Sequence, residues 1–484
     1  MKQKDFIFNI FFLLFLNLLI KPFWILGIDR GVQNAVGAES YGLYFAVLNF
    51  TIIFNMLLDF GLTNFNNRNI AQNTQLLSKH VSSILSLKVL LGVLYFVIVL
   101  FAGIIVGYSN FQLKILIWLA LNQFLNALIL YLRSNVAALL MFKTDGVLSV
   151  LDRLITILIC SVLLWSNIAD KSFQIMWFVY AQTAAYLIAA AVALSIVLYN
   201  AKFIRLTWNF TFFRAILKKS FPFAMLALLM SIYGRIDSVL IERILPSPDA
   251  AYQAGIFASA FRLLDALVNV SLLFAVILLP LFSKMLKKKE DLVPIIKSAF
   301  TLLFFFAVTS TVLLVAYRVP VITSLYHPEI SGEAVRVFVI LIFCLIPWSM
   351  TYIFGTLLTA NGSMRLLNIT SAIAIVINIA INFTLIPILE ARGAAIASLA
   401  TQSSIMIMQF IIAFRLLKIP FSTLPYFRCL LYVCLLIAST CFAIQYLHFG
   451  LILNLLICGC VALVWAFVTR LIPLGFIREV FPKA

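Results

Sequence analysis

Long apolar runs alternate with short polar connectors from one end of the sequence to the other, and this rhythm constrains the fold more than any single motif. The runs last roughly 18–25 residues, the length at which an α-helix crosses a hydrocarbon core of about 30 Å. Hydrophobic residues make up 64% of the 484 and charged residues only 11%, against about 25% charged in a soluble domain. A soluble fold of this length has too much surface to cover with so few polar side chains. The resulting fold class is an all-α polytopic membrane protein of about 14 transmembrane helices.

The expected spans cover 6–28, 41–59, 82–107, 112–141, 147–165 and 173–200. After a basic stretch they resume at 220–242, 252–282, 293–317, 336–360, 365–387, 394–417, 425–447 and 450–472. The first run is too long for a signal-peptide core and lacks a small-residue cleavage site, so it reads as a retained span. Counted over alternate connectors, the face holding Lys2 and Lys4 collects roughly 22 Lys and Arg and the opposite face roughly six. That asymmetry puts both termini in the cytoplasm. The net charge of +18 is spread over these short clusters, so it marks topology and does not form a nucleic-acid-binding patch.

The basic stretch at 201–219 separates an N-lobe (1–200, six spans) from a C-lobe (220–417, six spans), and 418–484 adds two spans and a tail. Sets with an even number of spans make parallel pseudo-repeats, as in transporters built around a central cavity. A short echo agrees: Gly42-Leu43-Tyr44-Phe45-Ala46 opens the second span and Gly255-Ile256-Phe257-Ala258 opens the eighth.

Ionisable residues inside spans are the informative positions, because each costs about 2.5–3.5 kcal/mol at mid-helix on insertion scales. The cations are Lys21, Arg133, Arg153, Arg235 and Arg262, and the acids are Asp59, Asp152, Asp237 and Asp265. Lys88 and Lys114 lie near enough to span ends to snorkel. Arg235 with Asp237, Arg262 with Asp265, and Asp152 with Arg153 are close enough in sequence for internal salt bridges. Lys21 has no acid within a turn and precedes Pro22, which predicts a kink and a cation facing water, another helix or an anionic substrate. Asn122 and Asn126, Asn269, and Asn378 with Asn382 supply polar faces, for interhelical hydrogen bonds or for a wet cavity that admits sugars.

Other chemistries lack their residues. The seven cysteines show no metal or redox spacing and read as small apolar residues. There is no phosphate-binding loop of the ATPase type, and the three histidines are isolated. No cofactor is expected beyond a coupling ion, H⁺ or Na⁺, for which Asp59, Asp237 and Asp265 are the candidates.

Four segments resemble a known family. Arg235-x-Asp237-Ser-Val-Leu followed by Tyr252-x-Ala-Gly255-Ile256-Phe257-x-x-Ala260-x-Arg262 is similar to the central signature of polysaccharide-biosynthesis flippases. Leu357-Leu358-Thr-Ala-Asn361-Gly362 and Asn378-Ile-Ala-Ile-Asn382-Phe-Thr-Leu-Ile-Pro387 resemble their tenth and eleventh helices, and Gly393-Ala394-Ala395-Ile396-Ala397 their twelfth. These proteins belong to the multidrug/oligosaccharidyl-lipid/polysaccharide exporter superfamily. The resemblance implies two six-helix bundles around a cavity and alternating access in the bacterial inner membrane. The substrate it implies is a polyprenyl-pyrophosphate-linked oligosaccharide, such as an O-antigen or capsule repeat unit, passed on to a polymerase and other assembly proteins. Lys21, Arg235 and Arg262 match the cavity cations thought to hold the headgroup. Two relatives in the superfamily, the peptidoglycan-precursor flippases and the multidrug exporters, remain alternatives, as does a membrane-embedded polymerase or acyltransferase of the same pathway.

Overall fold

The protein is represented by a computed structural model, which describes residues 19–20, 23–63, 77–139, 141–165, 173–201, 208–419, 425–447 and 449–472. Among these residues there are sixteen α-helices and one π-helical turn, Trp24–Asp29, with no strand. Thirteen segments are long and apolar enough to cross a membrane. They correspond to the second through fourteenth expected spans. Most of the first expected span, with Lys21 and the kink at Pro22, lies outside the described residues.

The chain divides into two compact units, 1–255 and 256–484. The first contains α1 (Arg30–Ile53), α2 (Met56–Asp59), α3 (Leu77–Ile105), α4 (Asn110–Ala138), α5 (Phe142–Trp165), α6 (Ile175–Ala201) and α7 (Phe210–Ile244). The division falls inside α8 (Asp249–Lys288), which at 40 residues is about 60 Å long and exceeds a hydrocarbon core. Lys287 and Lys288 stand at its far end.

The helix carrying the second span differs from its expected limits of 41–59. Helical structure runs from Trp24 to Ile53, broken only by Gly37 at a left-handed φ of 82°. It therefore takes in Arg30, Gln33, Asn34 and Glu39, which hydropathy assigns to a connector. It ends at Phe54, and the short α2 comes next, capped by Phe60 at φ 44° and Gly61 at φ 76°. Helix α7 likewise starts at Phe210, so the second half of the basic stretch is continuous with the span after it.

Within the first unit α4 packs on α6, α5 on α6, and α7 along α1. Apolar side chains of α3, α4, α5 and α6, with Phe213 of α7, form one cluster that includes Ile84, Leu87, Tyr131, Leu148 and Val197. The two echoing segments meet. A Cβ on Gly42 would overlap the Ala251 carbonyl oxygen, and one on Gly255 would overlap the Ala38 oxygen. The backbones approach this closely only because both residues are glycine, the small-residue packing by which helices associate in lipid.

The second unit continues α8 with α9 (Val293–Ala316), α10 (Arg318–Leu325), α11 (Pro328–Phe343) and α12 (Leu345–Ala360). It ends with α13 (Met364–Leu389), α14 (Ala391–Leu416), α15 (Tyr426–Tyr446) and α16 (Leu451–Val468). Helices α13 and α14 form its closest pair; a Cβ on Gly393 would lie 2.5 Å from the Leu385 carbonyl. Helices α15 and α16 pack on each other and on α9 around Val308, Tyr432, Leu436, Ala462 and Ala466.

Gly42→Val or Gly255→Val should lower the thermal midpoint of the detergent-solubilised protein. The loss is expected at or above the upper end of the roughly 1–3 kcal/mol that overpacking costs. Gly107→Ala faces open space and sits at positive φ in a connector, so it should cost only its local backbone strain, about 1 kcal/mol.

Candidate functional site

A polar side chain in lipid must find a partner inside the protein, and α1 carries several. Asp29, at the end of the π-helical turn, is 2% exposed and its Oδ2 accepts a hydrogen bond from the Tyr41 hydroxyl at 2.7 Å. Gln33 donates from Nε2 to the Gly255 carbonyl at 3.0 Å. Asn49 donates to Ser238 Oγ of α7 at 2.8 Å. Tyr44 accepts from Gln182 Nε2 of α6 at 3.1 Å. Beside Gln182, Thr183 donates to Asn122 Oδ1 of α4 at 2.7 Å. Trp24 and Tyr44 pack against Phe178, so an aromatic wall flanks these bonds.

Of the cations and acids singled out in the sequence, Arg235 and Asp237 lie on α7 beside this network. Asp237 is buried next to Ser238, and Arg235 is half-buried. Asn122 belongs to the network through Thr183, while Asn126 is half-buried one turn further along α4. Asp29, Gln33 and Asn49 are functional candidates that hydropathy conceals. Asp29 sits beside Arg30 at the edge of an apolar run and reads as the end of a span. A helix continued through that edge would have put Asp29 and Gln33 on one face.

A second group forms around α2. Lys88 does not snorkel. It is 2% exposed, and its Nζ lies 2.5 Å from Asp59 Oδ1 and 2.9 Å from the Leu58 carbonyl, with the Tyr131 ring 5.8 Å away. Asp59 also accepts from the Thr63 hydroxyl. The break after Ile53 makes this possible, because it turns Asp59 off the span and back onto α3. Nearby on α4, Arg133 Nε reaches Asp145 Oδ1 of α5 at 2.8 Å. Arg153 turns one guanidinium nitrogen to its own Ser149 carbonyl at 3.4 Å, so adjacency in sequence to Asp152 does not make an ion pair among the described residues.

A third group ties α7 to the turn between α3 and α4. Gln112 donates to the buried Glu242 carboxylate at 2.6 Å, and Arg243 pairs with the same carboxylate. Arg243 also donates to the Val106 and Gly107 carbonyls and lies 4.9 Å from the Tyr108 ring centroid. Burial and the Glu242 charge push the Tyr108 hydroxyl far above its ordinary range.

In the second unit Arg262 and Asp265 are half-buried on α8, and Asn269 has its amide on the Asp265 carbonyl at 2.7 Å. Asn378 and Asn382 are fully buried, and the Asn382 amide donates to the side-chain and backbone oxygens of Asn378, both at 3.0 Å. Ser271 bonds Ser349 of α12 at 2.7 Å. Among the described residues no group of His, Cys, Asp or Glu could hold a metal ion. Each unit taken by itself thus carries a half-buried guanidinium group, Arg235 in the first and Arg262 in the second, together with buried amides and hydroxyls.

Solved structures at low identity share this all-helical membrane fold. The lipid II flippase MurJ in an inward closed conformation matches with TM-score 0.69 and 15% identity, over 97% of this chain and 100% of that one. An inward-facing multidrug resistance MATE family transporter of the MOP superfamily matches at 0.65 and 15%, over 84% and 98%. A MOP superfamily transporter from Pyrococcus furiosus, described by the reverse polarity of its binding pocket, matches at 0.62 and 14%, over 85% and 94%. No curated protein matches by sequence. Residues 9–286, more than half of the chain, match the family model for polysaccharide biosynthesis proteins, and the chain belongs to that family.

The Asp59–Lys88 pair is asymmetric, since the Asp59 side chain is 34% exposed and Lys88 only 2%. Asp59→Ala strands a buried cation and should cost roughly 3 kcal/mol, whereas Lys88→Met leaves a partly solvated carboxylate and should cost about 1 kcal/mol. Thermal melts in detergent check the order; equal losses would contradict the assigned burial.

Proposed function

We propose that the protein is a flippase for a polyprenyl-pyrophosphate-linked oligosaccharide, an O-antigen or capsule repeat unit. It carries the headgroup from the cytoplasmic to the periplasmic leaflet of the bacterial inner membrane by alternating access, with both termini cytoplasmic. Membership in the polysaccharide biosynthesis family carries this reading. The excess of cations over acids supports it, because a pyrophosphate is multiply anionic and pairs strongly with desolvated Arg or Lys. The polyprenyl tail stays in lipid, so only the sugars and phosphates need a polar path.

Lys21, Arg235 and Arg262 hold the headgroup in this scheme. Arg133, which meets Asp145, and Arg153, which meets its own Ser149 carbonyl, are further candidates. Among the acids proposed for H⁺ or Na⁺ coupling, Asp59 already has Lys88 as counter-ion. Asp237 and Asp265 complete that set of candidates. The product headgroup is then delivered to a polymerase and other assembly proteins.

Lys21→Ala and Arg235→Ala should each abolish surface polysaccharide while leaving the protein at wild-type level in the membrane. Normal polysaccharide in both variants would remove these residues from the site. A second reading, a peptidoglycan-precursor flippase, draws support from the MurJ likeness over nearly the whole chain. Rescue of a strain depleted of its precursor flippase would favour it over the first.

A further inference from the structure

Three of the basic clusters that set the topology converge in the second unit. Lys297 near the start of α9, Arg428 near the start of α15 and Arg470 just past the end of α16 line one cavity of about 180 Å³ with Ser298, Thr301 and Pro425. All three cations are exposed, and among the described residues no carboxylate lines the cavity and none of the three forms an ion pair. Arg470 takes a left-handed φ of 52°, which turns the chain after α16, and its carbonyl accepts from Arg428 at 3.2 Å. Leu471 and Ile472 then fold back onto the apolar cluster shared by α9, α15 and α16.

Three positive charges thus stand together at the ends of membrane-crossing helices, beside an apolar seam. Its depth is that of the lipid headgroups, because Lys297 and Arg428 each lie within a turn or so of the start of a membrane-crossing helix and Arg470 just beyond the end of one. Basic pockets between transmembrane helices are a recurrent form of phospholipid headgroup site. We infer that this cavity binds the phosphate of an anionic bilayer phospholipid. The phosphate diester sits among Lys297, Arg428 and Arg470, and the acyl chains lie along the exposed apolar faces of α15 and α16. The bound lipid would then staple the two C-terminal helices to α9. This goes beyond the transport reading and does not depend on which lipid-linked sugar the protein carries.

The test uses the purified full-length protein in phosphatidylcholine micelles titrated with phosphatidylglycerol. Retained lipid is counted by native mass spectrometry, and the thermal midpoint is followed in parallel. Wild-type protein should retain phosphatidylglycerol in preference to phosphatidylcholine and melt higher as its fraction rises. Lys297→Gln and Arg428→Gln should each weaken that preference about fivefold, and the double variant should lose the thermal shift. Lys297→Arg and Arg428→Lys should keep both, which separates lost charge from lost folding. Lys287→Gln, outside the cavity, should behave as wild type. Equal retention of the two lipids by the wild type would overturn the proposal, and so would an unchanged preference in the double variant. An equal thermal shift with inorganic phosphate alone would also overturn it, because the occupant would then be a free anion.

Discussion

Inside a bilayer there is no water to accept a hydrogen bond, so each polar side chain on a spanning helix must be answered by another helix. Helix α1 is built around that requirement. Its Gln33, Tyr44 and Asn49 are met by Gly255 at the start of α8, Gln182 on α6 and Ser238 on α7. One helix is thereby fixed against three others by single hydrogen bonds at different depths. Each is of modest strength, since interhelical bonds in membranes average about 0.6 kcal/mol. Their value lies in selecting one rotation of α1, because turning the helix would leave several groups unanswered together.

The Gly42–Gly255 approach depends on the same rotation. Van der Waals packing is the main attraction between helices in lipid, and it grows as the backbones come closer. Bringing Gly42 against the Ala251 carbonyl and Gly255 against that of Ala38 puts Gln33 within reach of its acceptor. Close packing and hydrogen bonding are thus satisfied by one geometry, as expected when local and global preferences agree.

The charged residues separate into committed and available groups. Lys88 with Asp59, Arg133 with Asp145 and Arg243 with Glu242 are neutralised within the first unit. The first two join neighbouring segments of that unit, and the third anchors α7 beside Gln112 of α4. Lys297, Arg428 and Arg470 sit at helix ends, line one cavity and form no ion pair among the described residues.

The spacing of apolar runs was enough to place thirteen helices of membrane-crossing length within a few residues in most cases. The motifs around Arg235, Gly255 and Asn378 were enough to point to the family. These properties are legible because lipid imposes them on each segment separately. Hydropathy failed where helical residues are polar, as between Arg30 and Glu39, because it scores a side chain without its partner. Tertiary structure alone decided that Lys88 is buried on Asp59 and that Asp29 meets Tyr41. It also decided that the two echoing glycines touch and that three distant basic clusters share one cavity. Each of these depends on which helix faces are apposed, and a bilayer that is uniformly apolar in its plane gives no single helix a reason to prefer one face.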